Sequence, residues 1–260
     1  MSLHQINGVR YFQFDKFPNS IAHAIFTRQG GVSPAPWDSL NVGGSVGDDL
    51  EHVRANRMRS FNALDRPVDS IFDVWLVHSA DVVYADAPRD LNLPSIQADI
   101  ILTDKPNVTL YMRFADCVPV LFHDPKKGVV GISHAGWLGT VRGVCTATVK
   151  AMQAKYGCQP EDIMAAIGPS IGPDHYEVGH DVMMQVQSTF GEDAACLLHT
   201  RKGHTYLDLW LANSIQLQKA GVEQIEAAGI CTACHLEDWF SHRAEKGKTG
   251  RFGALIGLQA

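Results

Sequence analysis

Apolar residues in the first half of the chain come in short blocks bounded by Gly, Pro and Asp, the signature of strands rather than long helices. Such blocks predict strands at 9–14, 22–27, 71–77, 100–103, 108–112, 118–123 and 129–133, with late strands at 222–227 and 252–258. Helical spacing appears between them and dominates the second half. Asp48 and Asp49 suit the start of a helix in which Leu50, Val53, Arg57, Phe61 and Leu64 recur every three or four residues. A second helix is expected after Trp137, with Val141, Val144, Thr148 and Ala151 on one face and Gly157 as its stop. Two more are expected over 181–190 and 207–220, the last closed by Gly221.

Strands mixed with four or five helices predict an α+β protein in which helices cover the outer faces of packed, mixed β-sheets. No repeat or low-complexity linker divides the chain, so residues 1–260 are expected to form a single domain. A hydrophobic content of 45% suffices for a sizeable core. The net charge of −6, with basic residues scattered, argues against a nucleic-acid partner. One loose basic group, Arg243, Lys246, Lys248 and Arg251, suits either a small anion or a solvated loop. No stretch approaches the roughly 20 apolar residues of a membrane span, and the first twenty residues lack a signal-like apolar run. The expectation is a cytoplasmic protein with its six cysteines reduced, as a monomer or small homo-oligomer.

Three side chains carry the chemistry. His78, Cys117 and His134 each fall where a predicted strand runs out. Three soft or borderline ligands on a scaffold of separate strands suit a catalytic zinc, which takes three protein ligands and keeps one position open. Alone, Cys117 reads as a buried strand thiol, but Asp116 precedes it and can orient a ligand or relay a proton. After His134, Ala-Gly-Trp-Leu-Gly-Thr (135–140) leads into a helix, a junction whose amides favour an anion.

Cys231-Thr-Ala-Cys-His235 matches the c-type haem attachment pattern. That chemistry belongs to exported proteins. A redox dithiol would open a helix, and this pair follows a late strand. A zinc pair on Cys231 and Cys234 has no obvious further ligands in the sequence. The twelve histidines include no His-x-His pair, so a four-copper oxidase site is not expected.

These motifs resemble a known family, described variously as laccase-like polyphenol oxidase, peptidoglycan editing factor and purine nucleoside phosphorylase. The resemblance spans nearly the whole chain. It includes Arg28-Gln-Gly-Gly-Val-Ser33, Ser39-Leu-Asn-Val-Gly43, Gly47-Asp-Asp49 with Asn56-Arg57, and Ala115-Asp-Cys-Val-Pro-Val120. His134-Ala-Gly-Trp137, Ile167-Gly-Pro-Ser-Ile-Gly172, Tyr176-Glu-Val-Gly179, Phe240-Ser-His-Arg243 and Thr249-Gly-Arg251 complete it. It implies a zinc on His78, Cys117 and His134, with copper the lesser alternative. It also implies phosphorolysis of adenosine, inosine or methylthioadenosine, and deamination of adenosine.

The expected partners are therefore a small purine nucleoside and phosphate, with neither nucleic acid nor membrane. Asn41, Arg57, Arg142 and Arg243 are the candidate substrate and phosphate contacts, and Asp116 the candidate proton donor. The family usually has arginine where this chain has Leu138, and glutamine where it has Leu76. Arg142, one helical turn on, can compensate for the first. A metal-free hydrolase with Cys117 as nucleophile and His134 as base, acting on a peptide or cell-wall precursor, remains an alternative. So does a binding protein with a vestigial site.

Overall fold

The last strand, Phe252–Leu258, shows how the molecule is layered. Phe252, Ala254, Ile256 and Leu258 point to one face and join the core between two sheets, while Leu255 points the other way, toward a helix. A computed structural model of the chain describes residues 1–259. In chain order the elements are β1 (Ser2–Ile6), β2 (Val9–Gln13), β3 (Ile21–Phe26), α1 (Leu50–Asn62), β4 (Ile71–Phe72), β5 (Val82–Tyr84), β6 (Ile100–Thr103) and β7 (Thr109–Phe114). Then come β8 (Val118–Asp124), β9 (Val129–Ala135), α2 (Trp137–Val141), α3 (Val144–Tyr156), β10 (Met164–Ile167) and β11 (Glu177–Val178). The chain finishes with α4 (His180–Phe190), α5 (Ala194–Leu197), β12 (Leu198–Arg201), β13 (His204–Leu207), α6 (Leu209–Lys219), β14 (Gln224–Ala227) and β15 (Phe252–Leu258).

One six-stranded sheet has the order β1-β2-β3-β15-β7-β4, and a second has β14-β10-β8-β9-β6-β5. The two pack face to face through Ile25, Leu110, Met112, Leu121, Val130, Ile132 and their neighbours. On the far side of the first sheet, Phe61 of α1 packs with Tyr11, Phe26 and Tyr111. On the far side of the second, Val149 and Met152 of α3 and Leu217 of α6 pack with Val118, Val120 and Phe122. The result is the expected α+β arrangement of mixed sheets with helices outside. Each fully buried Leu, Ile or Phe contributes about 1.5–3 kcal/mol against chain entropy. A small antiparallel sheet, β11-β13-β12, is added at one side.

Several expectations are corrected. The strand expected at 71–77 lasts only two residues. Beyond it the chain leaves the sheet: Asp73 turns in to pair with Arg89, and only Trp75 makes an isolated bridge, to Gln97. His78 therefore lies in the crossing between sheets, six residues beyond β4. The helix expected after Trp137 is two helices, because Gly143 takes φ 80°, a left-handed conformation that glycine adopts without steric cost. The last helix starts two residues later than expected. Leu207 still pairs in β13, and Asp208 caps α6 by accepting the Leu211 amide at 2.9 Å. Strands β1, β5 and β10–β13 lacked a sequence signal, being short, rich in polar side chains or, in Met-Ala-Ala-Ile, without alternation.

Candidate metal centre

β9 builds the centre of the site. Its side chains alternate, so Val130 and Ile132 enter the core between the sheets, and His134, two residues on, shares that face beside Phe114. Ser133 points the opposite way and bonds Thr148 of α3 at 2.8 Å. β8 pairs with β9 in a register that sets Val118 against Ala135, which brings Cys117, just ahead of β8, beside the end of β9. The crossing from β4 to β5 delivers His78. The three side chains thus converge where the two sheets part. They come from one strand and two connecting segments rather than from three strand ends.

One ligand atom of each of His78, Cys117 and His134 lies within 4.8 Å of the others. Cys117 Sγ is 4.0 Å from His78 Nε2, and the two imidazole centroids are 4.9 Å apart. Asp99, fully buried, binds both histidine segments. It accepts from His134 Nδ1 at 2.8 Å, and its other oxygen accepts the amides of Val77 and Ser79 at 3.2 and 2.6 Å. That bond directs His134 Nε2 away from Asp99 and toward the cluster, as ligating histidines usually require. Gly136 leaves the space open: a Cβ there would come within 2.8 Å of His78 Cδ2 and 2.9 Å of Cys117 Sγ. His78 (φ 58°) and Asp116 (φ 79°) both hold left-handed backbone without being glycine, a conformation concentrated at functional sites.

Burial alone would push the Cys117 thiol up, but His134 and then His78 outweigh it and bring it down to about 6. Burial would likewise depress His134, yet the Cys117 sulfur and the Asp99 carboxylate raise it to about 9. The pair thus favours thiolate and imidazolium, and a cation bound there would compete with the His134 proton. The donor set of two imidazoles and one thiolate can hold a metal ion.

The cluster opens into a cavity of about 440 Å³. Arg243 lines it, as do Asp116 and three side chains the sequence did not single out for the site: Arg113, Tyr176 and His242. Arg251 joins them from the loose basic group noted above. Trp75 and Trp137 stand at the same cavity. Three of the expected contacts lie elsewhere. Asn41 is fully buried; its side chain accepts the Gly43 and Arg251 amides at 3.0 and 2.9 Å and so holds two loops together. Arg57 donates to the Val42 carbonyl and stands 3.6 Å from Asp73, which also faces Arg113 at 3.7 Å. Arg142 donates to the His78 carbonyl at 2.9 Å from the outer side. The turn after His134 opens only a five-residue helix, too short for much of a macrodipole.

Asp116 has both carboxylate oxygens engaged, one by Thr232 Oγ1 at 2.7 Å and one by the Arg243 amide at 2.6 Å. The signal for Asp99 was weak: an aspartate opening an apolar strand. Arg251 stood within the recognised Thr-Gly-Arg, and only the pairing of β15 with β7 shows that it meets Arg113 at one cavity.

Residues 22–259 match the family model described as multi-copper polyphenol oxidoreductase laccase. A Deinococcus radiodurans protein named purine nucleoside phosphorylase is 40% identical, over 93% of this chain and 91% of its own length. The Escherichia coli protein named purine nucleoside phosphorylase YfiH is 36% identical, over 93% of this chain and 95% of its own. The crystal structure of YlmD from Geobacillus stearothermophilus superposes with a TM-score of 0.92 at 34% identity, covering 99% of this chain and 98% of that one. A Bacillus licheniformis hypothetical protein YfiH gives 0.92 at 32% identity, covering 99% of both chains.

Proposed function

This chain belongs to the multi-copper polyphenol oxidoreductase laccase family, and we propose that it is a zinc-dependent purine nucleoside phosphorylase. On this reading it cleaves adenosine, inosine or methylthioadenosine with phosphate, and also deaminates adenosine. One observation carries the reading: the His78–Cys117–His134 cluster opens into a cavity that combines three arginines with aromatic side chains. The names of the relatives point the same way.

The residues fit zinc. Two imidazoles and a thiolate are ordinary zinc donors, the tautomer of His134 is set by Asp99, and the space a Cβ would fill at Gly136 is open. Bound by His78, Cys117 and His134, zinc would supply Lewis acidity to the reaction. Arg113, Arg243 and Arg251 hold the phosphate dianion through charge-assisted hydrogen bonds. Trp75, Trp137 and Tyr176 offer faces for the purine, and burial keeps the Tyr176 hydroxyl protonated as a donor. His242 donates to the departing base. Asp116, its oxygens engaged, positions Cys117 and Arg243. Arg57 and Arg142 act behind the cavity wall, through Asp73 and the His78 loop.

The family description names copper. A multicopper centre needs many clustered imidazoles, and among the described residues neither metal-competent cluster has more than two. A second reading draws on Cys117, His134 and Asp99, which form a nucleophile, base and orienting carboxylate suited to thiol hydrolysis. A nucleoside panel with and without phosphate, read by chromatography on metal-analysed protein, tests the proposal. Conversion to free base and ribose 1-phosphate that chelation abolishes supports it. No conversion by zinc-loaded protein overturns it in favour of the thiol hydrolase.

A further inference from the structure

The Cys231–Cys234 pair, which the sequence leaves without further ligands, finds two in the fold. Asp174 and His175, more than fifty residues earlier, face it across a loop junction. One ligand atom from each of the four residues lies within 4.8 Å of the others. His175 Nδ1 stands 3.5 Å from Cys234 Sγ, 3.7 Å from Cys231 Sγ and 3.1 Å from Asp174 Oδ1. A tetrahedral zinc with sulfur at about 2.3 Å and nitrogen and oxygen at 2.0–2.2 Å sets nitrogen–sulfur separations of about 3.6 Å and nitrogen–oxygen separations of about 3.4 Å. The side chains already stand within a few tenths of an ångström of those values.

The backbone holds this geometry. His175 and Tyr176 amides both donate to the Gly172 carbonyl, a turn that presents His175. The Gly172 amide donates to Cys231 Sγ at 3.2 Å, and an added Cβ at Gly172 would meet Asp174 Oδ1 at 2.9 Å and Cys231 Cβ at 3.1 Å. Cys231 bridges to Ser170, and the Cys234 amide returns to the Cys231 carbonyl at 3.3 Å. All six cysteines are free thiols among the described residues. An imidazole and a carboxylate aimed at the thiol pair have no role in a disulfide. Haem attachment would involve His235, which instead turns to Glu237.

We propose that Asp174, His175, Cys231 and Cys234 form a second, structural zinc site that pins the 172–176 loop to the 231–234 loop. Four protein ligands make it closed, in contrast to the three-ligand cluster in the cavity. The pinned loops shape that cavity: Tyr176 follows His175 directly and lines it, and Thr232, between the cysteines, holds Asp116. The site stands independently of the reaction proposed above.

Elemental analysis of purified protein, with and without a Cys117→Ser change that removes the thiolate from the cavity cluster, tests it. The Cys117→Ser protein should keep about one zinc per chain. Replacing that zinc with cobalt(II) should give intense thiolate-to-metal absorption, since both remaining thiolate ligands belong to this site. Adding His175→Gln with Asp174→Asn, both at exposed positions, should weaken this zinc at least tenfold without unfolding the protein, read by circular dichroism. Zinc should also protect Cys234 from alkylation. If Cys117→Ser protein holds no zinc and gives no cobalt–thiolate band, or if the Asp174 and His175 changes leave its zinc unaltered, the site does not exist.

Discussion

Asp99 and His134 are joined twice, by the 2.8 Å bond between carboxylate and Nδ1 and by the His134 amide donating to the Asp99 carbonyl at 2.9 Å. The second bond is part of how β6 and β9 are held side by side, so the strand ladder itself fixes the Asp99 carboxylate against the His134 imidazole. The remaining oxygen of Asp99 gathers the Val77 and Ser79 amides on either side of His78. A single buried carboxylate thus aligns two of the three metal-competent side chains.

Asp99→Asn tests that role. The amide retains the shape but offers only one oxygen, so it cannot accept from His134 and from the 77–79 amides as the carboxylate does. Zinc affinity of the cavity cluster should fall about 10- to 100-fold, the usual cost of losing such a supporting partner. Competition against a chromophoric chelator measures it, in protein carrying Cys231→Ser so that the other cluster does not contribute. Unchanged affinity would show that His134 needs no orienting partner.

Gly136→Ala separates site geometry from backbone strain. Gly136 has φ −68°, which alanine adopts freely, so the added methyl acts only by meeting His78 and Cys117 at 2.8 and 2.9 Å. Fold and far-ultraviolet circular dichroism should persist, with a stability loss of about 1–3 kcal/mol. Metal binding and turnover should drop more than tenfold. Retention of both would mean that the cluster is looser than its packing implies.

How much of this was legible in the sequence depends on distance along the chain. β9 and β15 were readable because continuous apolar runs mark strands buried on both faces, and His134 was readable as a histidine ending such a run. The path of His78 was not, since nothing in Asp-Val-Trp-Leu-Val says that Asp73 will turn inward to arginines. The positive φ of His78 and Asp116 could not be read from residue type, since His and Asp, though enriched in left-handed backbone, adopt it at only a minority of positions. Arg142 lies one helical turn beyond Leu138 in the sequence, yet in the fold it supports the His78 carbonyl from outside. Arg113 lies just past the strand expected at 108–112, and only its register beside β15 puts it into the cavity. Asp174 and His175 belong with the Cys231 pair only because β10 returns through the Ser170–Cys231 bridge.

Acid should destabilise the fold through His23. Its Nε2 accepts the Phe14 amide at 2.9 Å, and burial pulls its imidazole from 6.5 down to about 4. A histidine lowered in the folded state confers stability that is full above pH 6.5 and is lost as pH falls toward 4, because the unfolded chain takes up the proton first. The loss across that window is about 3 kcal/mol. His123, also lowered by burial, adds in the same direction. Urea unfolding between pH 7 and 4.5 should show a slope that His23→Gln reduces and the double change with His123→Gln nearly removes. Equal slopes in wild type and the double variant would assign acid sensitivity elsewhere.

The arginines should divide the two proposed reactions. Only phosphorolysis must hold a phosphate dianion, whereas both reactions draw on the metal cluster. Arg251→Gln and Arg113→Gln each remove a charge at the cavity, and losing one charge-assisted hydrogen bond costs about 1.5–3 kcal/mol, roughly ten- to more than a hundredfold in rate. Phosphorolysis of adenosine should fall by that factor, with a raised KM for phosphate, while deamination changes little. Arg142→Ala should instead lower both activities in parallel and more gently, since its guanidinium reaches only the His78 carbonyl. His134→Ala should abolish both. Parallel kinetics on adenosine with and without phosphate, resolved by chromatography into adenine and inosine, give the four comparisons. If Arg251→Gln and Arg142→Ala fall alike on both products, the phosphate is held by groups other than these arginines, and the cavity's positive charge serves the fold rather than the substrate.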